Sequence, residues 1–137
     1  MYHSLQGNVG LGKAIEYFTS HQITVSLPLN DIQKYDLIAD FNDGLQRVQV
    51  KTSRYKAKSG YYSVNLKNSG GSSGKSVIRP FDNKLCDYVF VYSADNRCYL
   101  IPSNTILAKT AITLNKECDK YEVHTKLFSE FAEDVEQ

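Results

Sequence analysis

Two β-patterned runs on either side of an Asp-Gly pair constrain this chain more than anything else in it. Tyr35-Asp36-Leu37-Ile38-Ala39-Asp40-Phe41 and Arg47-Val48-Gln49-Val50-Lys51-Thr52-Ser53 flank Asn42-Asp43-Gly44, and this pattern predicts a β-hairpin. A loop centred near Asp43 sets Asp36 opposite the Val50 to Lys51 region. Side chains alternate along a strand, so Arg47, Gln49, Lys51 and Ser53 share one face while Val48 and Val50 turn toward a core. The hairpin thereby gathers an acid, an amide and a lysine in one small area.

A length of 137 residues fits one domain with a real core. The hydrophobic share of 42% and the charged share of 23% are those of an ordinary globular protein. No apolar run approaches the roughly 20 residues that span a bilayer, and no charged-then-apolar leader opens the chain. The expectation is a cytoplasmic protein without a membrane partner. Cys86, Cys98 and Cys118 are widely spaced and form no CxxC pair, so neither a disulfide framework nor a zinc site is suggested. His3, His21 and His124 are equally scattered.

The net charge of +1 conceals a strong segregation. Between Arg47 and Lys84 lie nine of the 16 basic residues, with Asp82 the one acid. From Glu117 to Gln137 seven acids stand against Lys120 and Lys126. A basic segment of this kind is the footprint of a polyanion partner.

Taken in order, residues Gly7 to Ser20 predict a first helix, with Leu11, Ala14, Ile15 and Phe18 forming its apolar stripe and Asn8 as N-cap. Ile23 to Leu27 reads as a short strand ended by Pro28. After the hairpin, Tyr61 to Lys67 has strand character and Asn68 to Ser76 is a Gly/Ser-rich loop. Val77 to Phe81 is the return arm. This long basic excursion, about residues 54–82, suits a ribbon reaching into a nucleic-acid groove, since Lys and Arg neutralise phosphates while Tyr, Asn and Ser address sugars or base edges. Its candidate contacts are Arg54, Tyr55, Lys56, Lys58, Tyr61, Lys67, Asn68, Lys75 and Arg79. Leu85 to Val91 predicts a central strand, paired with Cys98 to Ile101 across a turn at Ala94-Asp95-Asn96. Ser103 caps an expected helix over Asn104 to Lys109, Ile112 to Leu114 adds an edge strand, and Leu127, Phe128 and Phe131 give the acidic tail a helical pattern.

Asp36, Gln49 and Lys51 together suit metal-assisted phosphodiester hydrolysis. A hard divalent cation takes oxygen ligands, which the Asp36 carboxylate, the Gln49 amide carbonyl and the Val50 backbone carbonyl could supply. Lys51 could orient or deprotonate the attacking water, or stabilise charge on the phosphate in the transition state. Taken on spacing alone, the same residues also describe a solvated polar face.

The ordered set Tyr35-Asp36-Leu37-Ile38, then Arg47 to Ser53, resembles the core of the PD-(D/E)XK nucleases. It is most similar to the intron-encoded homing endonucleases in which glutamine replaces the second acid. The similarity extends to Gly7-Asn8-Val9-Gly10 in the first helix and to Tyr99-Leu100-Ile101-Pro102. The resemblance implies an α/β (α+β) fold, a restriction-endonuclease-like mixed β-sheet flanked by helices with a basic DNA-binding β-ribbon. It implies cleavage of double-stranded DNA with Mg2+ or another divalent cation, and a homo-oligomer, a tetramer rather than a dimer. By position, Asp36 becomes the metal-binding acid, Gln49 the replacement of the second acid and Lys51 the catalytic lysine.

One position departs from the family's pattern. Where such nucleases commonly carry a glutamate after the glycine of the first helix, this chain has Leu11. Leu11 cannot bind a cation, and Glu16 lies about 140° further round the helix. Leu11 is then either a core residue or the mark of a replaced active-site acid. Two alternatives stand beside a homing-type endonuclease: a junction-resolving or repair nuclease of the same fold, and a non-catalytic DNA-binding protein.

Overall fold

A computed structural model describes residues 3–30, 32–70 and 77–130. Helix α1 (His3–Ser20) leads into β1 (Thr24–Ser26), and the expected hairpin forms from β2 (Leu37–Phe41) and β3 (Gly44–Ser53). Two short strands follow, β4 (Tyr55–Lys56) and β5 (Tyr62–Asn65), and then a narrow ribbon of β6 (Asn68–Gly70) and β7 (Val77–Arg79). The second hairpin is β8 (Tyr88–Ser93) with β9 (Arg97–Pro102), after which come β10 (Ala111–Thr113) and β11 (Glu122–Val123).

Six of these strands make one mixed sheet in the order β1-β2-β3-β8-β9-β11. All neighbours are antiparallel except β3 and β8, which run parallel with Val50 beside Phe90. Strand alternation splits β8 between two cores: Val89 and Val91 enter one, Phe90 the other. Burial on both faces explains why this run is almost continuously apolar.

Helix α1 covers one face, burying Ala14 and Phe18 against Leu37, Ala39, Val48 and Phe90. Full burial of each large side chain contributes about 1.5–3 kcal/mol. At Gly10 helix and strand approach closely: a Cβ there would lie 2.7 Å from Thr52 Cγ2 and 3.2 Å from Val50 Cγ1. The opposite face is covered by a three-stranded sheet in the order β10-β5-β4. Its Val64 joins Leu66, Phe81, Tyr99 and Ile101 in the second core. The connection from β3 to the parallel β8 is thus built from β strands where a helix would be more usual.

Four expectations need correction. The hairpin loop is the two-residue Asn42-Asp43, with Phe41 paired to Gly44 and Leu37 to Val48, so the register sits one residue from the expected one. Neither loop residue has positive φ; the positive φ of 152° falls on Gly44. Helix α1 begins at His3 and not at Gly7, leaving Asn8 as an exposed interior residue. Its early start is anchored by Gln6, whose Nε2 donates to Thr52 Oγ1 at 2.8 Å. Directly after Pro102 the chain makes a 3-10 turn, Ser103–Thr105, in place of the expected helix. Ile106 leaves it in an extended conformation and is nearly fully buried, so core packing overrides the helical pattern expected to Lys109. Residues 128–130 are helical; Phe131 lies outside the described residues.

Candidate active site

At the start of β2, Asp36 turns its carboxylate back onto the neighbouring strand. Its Oδ2 accepts a hydrogen bond from the Val50 backbone N–H at 2.7 Å, while its own N–H donates to the Val48 carbonyl at 2.8 Å. Strand β2 has already ended at this level, so a side-chain oxygen takes the place of a ladder partner. Among the described residues, Asp36 Oδ1 has no hydrogen-bond partner. A strand residue sends its N–H and C=O off the same edge, so the Val50 carbonyl faces the side on which Asp36 lies.

Gln49 and Lys51 occupy the face of β3 turned away from α1, because Val50 and Thr52 meet Gly10 on the helix side. Gln49 is buried, and its Nε2 donates to Asn68 Oδ1 at 2.7 Å. Lys51 Nζ donates to the same Asn68 oxygen at 3.1 Å and to the Lys67 carbonyl at 3.4 Å. The root of the basic ribbon is therefore tied to the strand that carries the amide and the lysine.

Electrostatics at this corner reflect the removal of both charged groups from water. Asp36 has solvent-exposed surface, yet the protein atoms packed round it desolvate its carboxyl and raise its pKa. The Val50 N–H and the Lys51 charge oppose that rise without cancelling it. Burial lowers the Lys51 pKa in turn, against the attraction of Asp36. An acid pushed up beside a lysine pushed down is the pattern expected where protons are exchanged or charge develops.

The donor set fits a hard divalent cation. Asp36 Oδ1, Gln49 Oε1 and the Val50 carbonyl are all oxygen atoms on adjacent strand positions, and no group of three His, Cys, Asp or Glu gathers among the described residues. Mg2+ needs no such group, since it is commonly held by one or two carboxylates, retained waters and substrate phosphate.

Leu11 is half-buried and packs into the core between α1 and the sheet. It lies on the sheet face opposite Gln49 and Lys51, one residue beyond the Gly10 contact with Val50.

The candidate DNA contacts fall into two groups. Arg54, Tyr55, Lys56 and Lys58 are exposed along β4 and the turn after it, and Lys67 and Arg79 are exposed at the ribbon root. Tyr61 is half-buried, and Arg54 sits 5.9 Å from the Tyr55 ring centre. Asn68, expected as a DNA contact, instead has its side-chain oxygen engaged by Gln49 and Lys51. Lys75 lies outside the described residues. Two further partners were not foreseen. Gln6 Oε1 accepts from Arg54 at 3.2 Å, and Asp87 accepts from the Arg47 backbone N–H at 2.8 Å while pairing with its side chain. No local signal announces either, because the partners are tens of residues apart in the chain.

This geometry, a hairpin acid and a glutamine–lysine strand in a mixed sheet, is that of a restriction-endonuclease-like nuclease. Residues 1–133 match the model of the PD-(D/E)XK endonucleases, and the chain belongs to that family. Among solved structures it is similar to the bacterial homing endonuclease I-Ssp6803I, with a TM-score of 0.71 and 26% identity over 95% of this chain and 87% of that one. A fainter likeness is to MepB, at a TM-score of 0.49 and 17% identity over 93% of this chain and 99% of that one. No curated protein matches.

Proposed function

We propose that this chain is a site-specific endonuclease of the homing type that hydrolyses phosphodiester bonds of duplex DNA with Mg2+ or a similar divalent cation. The observation that carries the proposal is the convergence of Asp36, Val50, Gln49 and Lys51 at the root of a basic ribbon. Asp36 Oδ1, Gln49 Oε1 and the Val50 carbonyl would hold the cation. The bound cation would polarise the scissile phosphate and acidify a water.

The chain's own contribution is placement. The Val50 N–H clamps one carboxylate oxygen of Asp36 and leaves the other directed outward. Lys51, held by Asn68 and the Lys67 carbonyl, presents its amine beside that carboxylate. There, as an ammonium, it orients the water or stabilises the charge gathering on the phosphate. Arg54, Lys56, Lys58 and Arg79 bind the backbone and aim the duplex, and the similarity to a homing endonuclease supports a defined target over a branched one. One such site cuts one strand, so a double-strand break calls for a homo-oligomer, which we take to be a tetramer.

The half-buried Leu11 favours a second reading, a DNA-binding protein with little turnover. Supercoiled, branched and candidate-site DNA offered with Mg2+ or a chelator to the native chain, Lys51→Ala and Leu11→Glu separates the two. Mg2+-dependent cutting lost in Lys51→Ala supports the endonuclease, and cutting that survives Lys51→Ala removes the assigned site. Binding without cutting by both the native chain and Leu11→Glu would leave a DNA-binding protein. A preference for branched DNA would make it a junction-resolving or repair nuclease.

A further inference from the structure

Resting on the reading that Gln49 ligates a cation through oxygen, we infer that Asn68 is a positioning residue that decides which end of the Gln49 amide is offered to the metal.

A carboxylate presents oxygen whichever way it turns. A glutamine does not: one end of its amide accepts and the other donates, and only the accepting end can ligate a hard cation. Replacing the second acid by Gln49 therefore leaves a choice of orientation that glutamine alone cannot make. The structure makes it through a polarity relay. The Lys51 ammonium only donates, so the Asn68 atom that faces it at 3.1 Å must be Oδ1. That same oxygen faces Gln49 at 2.7 Å, so the Gln49 atom there must be the donor Nε2. With Nε2 engaged, Oε1 takes the remaining direction, and it accepts no hydrogen bond among the described residues.

Reversing the Gln49 amide would set its oxygen against Asn68 Oδ1, acceptor against acceptor. Reversing Asn68 as well would set its NH2 against the Lys51 ammonium. Neither arrangement keeps both hydrogen bonds, so the relay holds one polarity. Asn68 is also the first residue of β6 and pairs across the ribbon with Arg79. The orientation of a cation ligand is therefore set from the root of the ribbon that carries Arg79, one of the proposed DNA contacts.

The test measures cation binding directly, by electron paramagnetic resonance titration of the DNA-free chain with Mn2+. Outer partners that orient metal ligands are commonly worth about 10–100-fold in metal affinity. Asn68→Ala is expected to weaken Mn2+ binding by about 10-fold or more on that scale. Asn68→Asp, whose carboxylate accepts from both Gln49 and Lys51, should hold or tighten it. In a Gln49→Ala background Asn68→Ala should cause no further loss, because the residue acts through Gln49. If Asn68→Ala melts below the assay temperature, Asn68→Ser, too short to reach both donors, takes its place. The inference is overturned if Asn68→Ala binds Mn2+ like the native chain, if Asn68→Asp fails like the alanine variant, or if the loss persists undiminished without Gln49. Asp36→Asn separates this from the wider reading. If Asp36→Asn abolishes Mn2+ binding while Asn68 variants leave it untouched, only the relay fails. Mn2+ binding that is absent from the native chain, or indifferent to Asp36→Asn, sinks both.

Discussion

Three glycines in α1 ought to respond with opposite signs to one substitution. Gly7 and Gly12 are exposed, and a Cβ at either would meet nothing within 4 Å. Alanine at an interior helical position is favoured over glycine by about 0.8–1.0 kcal/mol, so Gly7→Ala and Gly12→Ala should each stabilise by nearly that much. Gly10→Ala gains the same helical preference but drives its methyl to 2.7 Å from Thr52 Cγ2 and 3.2 Å from Val50 Cγ1. Thr52 cannot simply rotate away, because its hydroxyl oxygen is held by Gln6 at 2.8 Å. Overpacking of this kind costs about 1–3 kcal/mol, and the balance is a net loss of roughly 0–2 kcal/mol. Urea midpoints and melting curves of the three variants, compared in one buffer, give the answer. A shift of 1 kcal/mol corresponds to about 3–5 °C for a chain of this size. The damage at position 10 should also reach function, since Val50 supplies the N–H that clamps Asp36, whereas the variants at 7 and 12 should cut as the native chain does. Stabilisation by Gly10→Ala equal to that of the other two would mean that helix and strand do not meet at Gly10.

Asp36→Asn should raise the urea midpoint at neutral pH while abolishing cleavage. A carboxyl whose folded pKa lies above its unfolded one adds stability below the unfolded value and loses it as pH rises through the folded value, so removing the desolvated charge benefits the fold where both states are ionised. A fall in the midpoint would contradict that sign. Asp87 behaves the other way: the Arg47 guanidinium and backbone N–H hold its carboxyl below the usual range, so its stabilisation is present above the unfolded pKa near 4 and disappears as pH drops through the folded one. Denaturation of Asp87→Asn at pH 6 should show a deficit of about 1 kcal/mol or less that narrows at pH 3, because asparagine keeps an acceptor for the Arg47 amide but loses the charge paired with the Arg47 guanidinium. Replacing Lys56 or Lys58 by alanine should lower the slope of log K against log salt for duplex DNA by about 0.9 each and leave plasmid nicking at saturating protein intact; an unchanged slope would take that lysine off the interface. Phe18→Ala, emptying a fully buried ring position, should cost about 3–5 kcal/mol in chemical denaturation.

Local patterns carried most of the architecture. The hairpin, the apolar stripe of α1, the β8–β9 pair and the edge strand near Ile112 all follow from short-range alternation and turn residues. Failures occurred where distant partners outvoted the local preference. Gln6 reaches Thr52 across 46 residues and lengthens α1, and the buried Ile106 pulls the chain out of a helix that Ser103 could have capped. The acid, amide and lysine of the candidate site were legible because they lie on one hairpin. The sequence marks Asn68 only as a polar residue of the basic excursion, since its two protein partners lie 17 and 19 residues back, beyond β4, a turn and β5. Residue type marks Gln49 as neutral where a second carboxylate would be the usual ligand, and only three-dimensional placement brings its amide to Asn68.

The strand-built connection between the parallel β3 and β8 has an evolutionary consequence. Its two ends are fixed by the ladder at Ser53 and Tyr88, and its β5 is fixed by the layer it lends to the second core. The exposed turn at residues 58–60, between β4 and β5, carries neither obligation. Doubling the length of a flexible loop costs only about 0.6 kcal/mol, less than one helical glycine. Under the proposed function, a lineage carrying this fold could lengthen, shorten or rewrite that turn to follow a drifting target sequence while Asn68, within the same connection, keeps its bonds to Gln49 and Lys51. Target choice and chemistry would then mutate on separate clocks, though both are encoded within one short span of the chain.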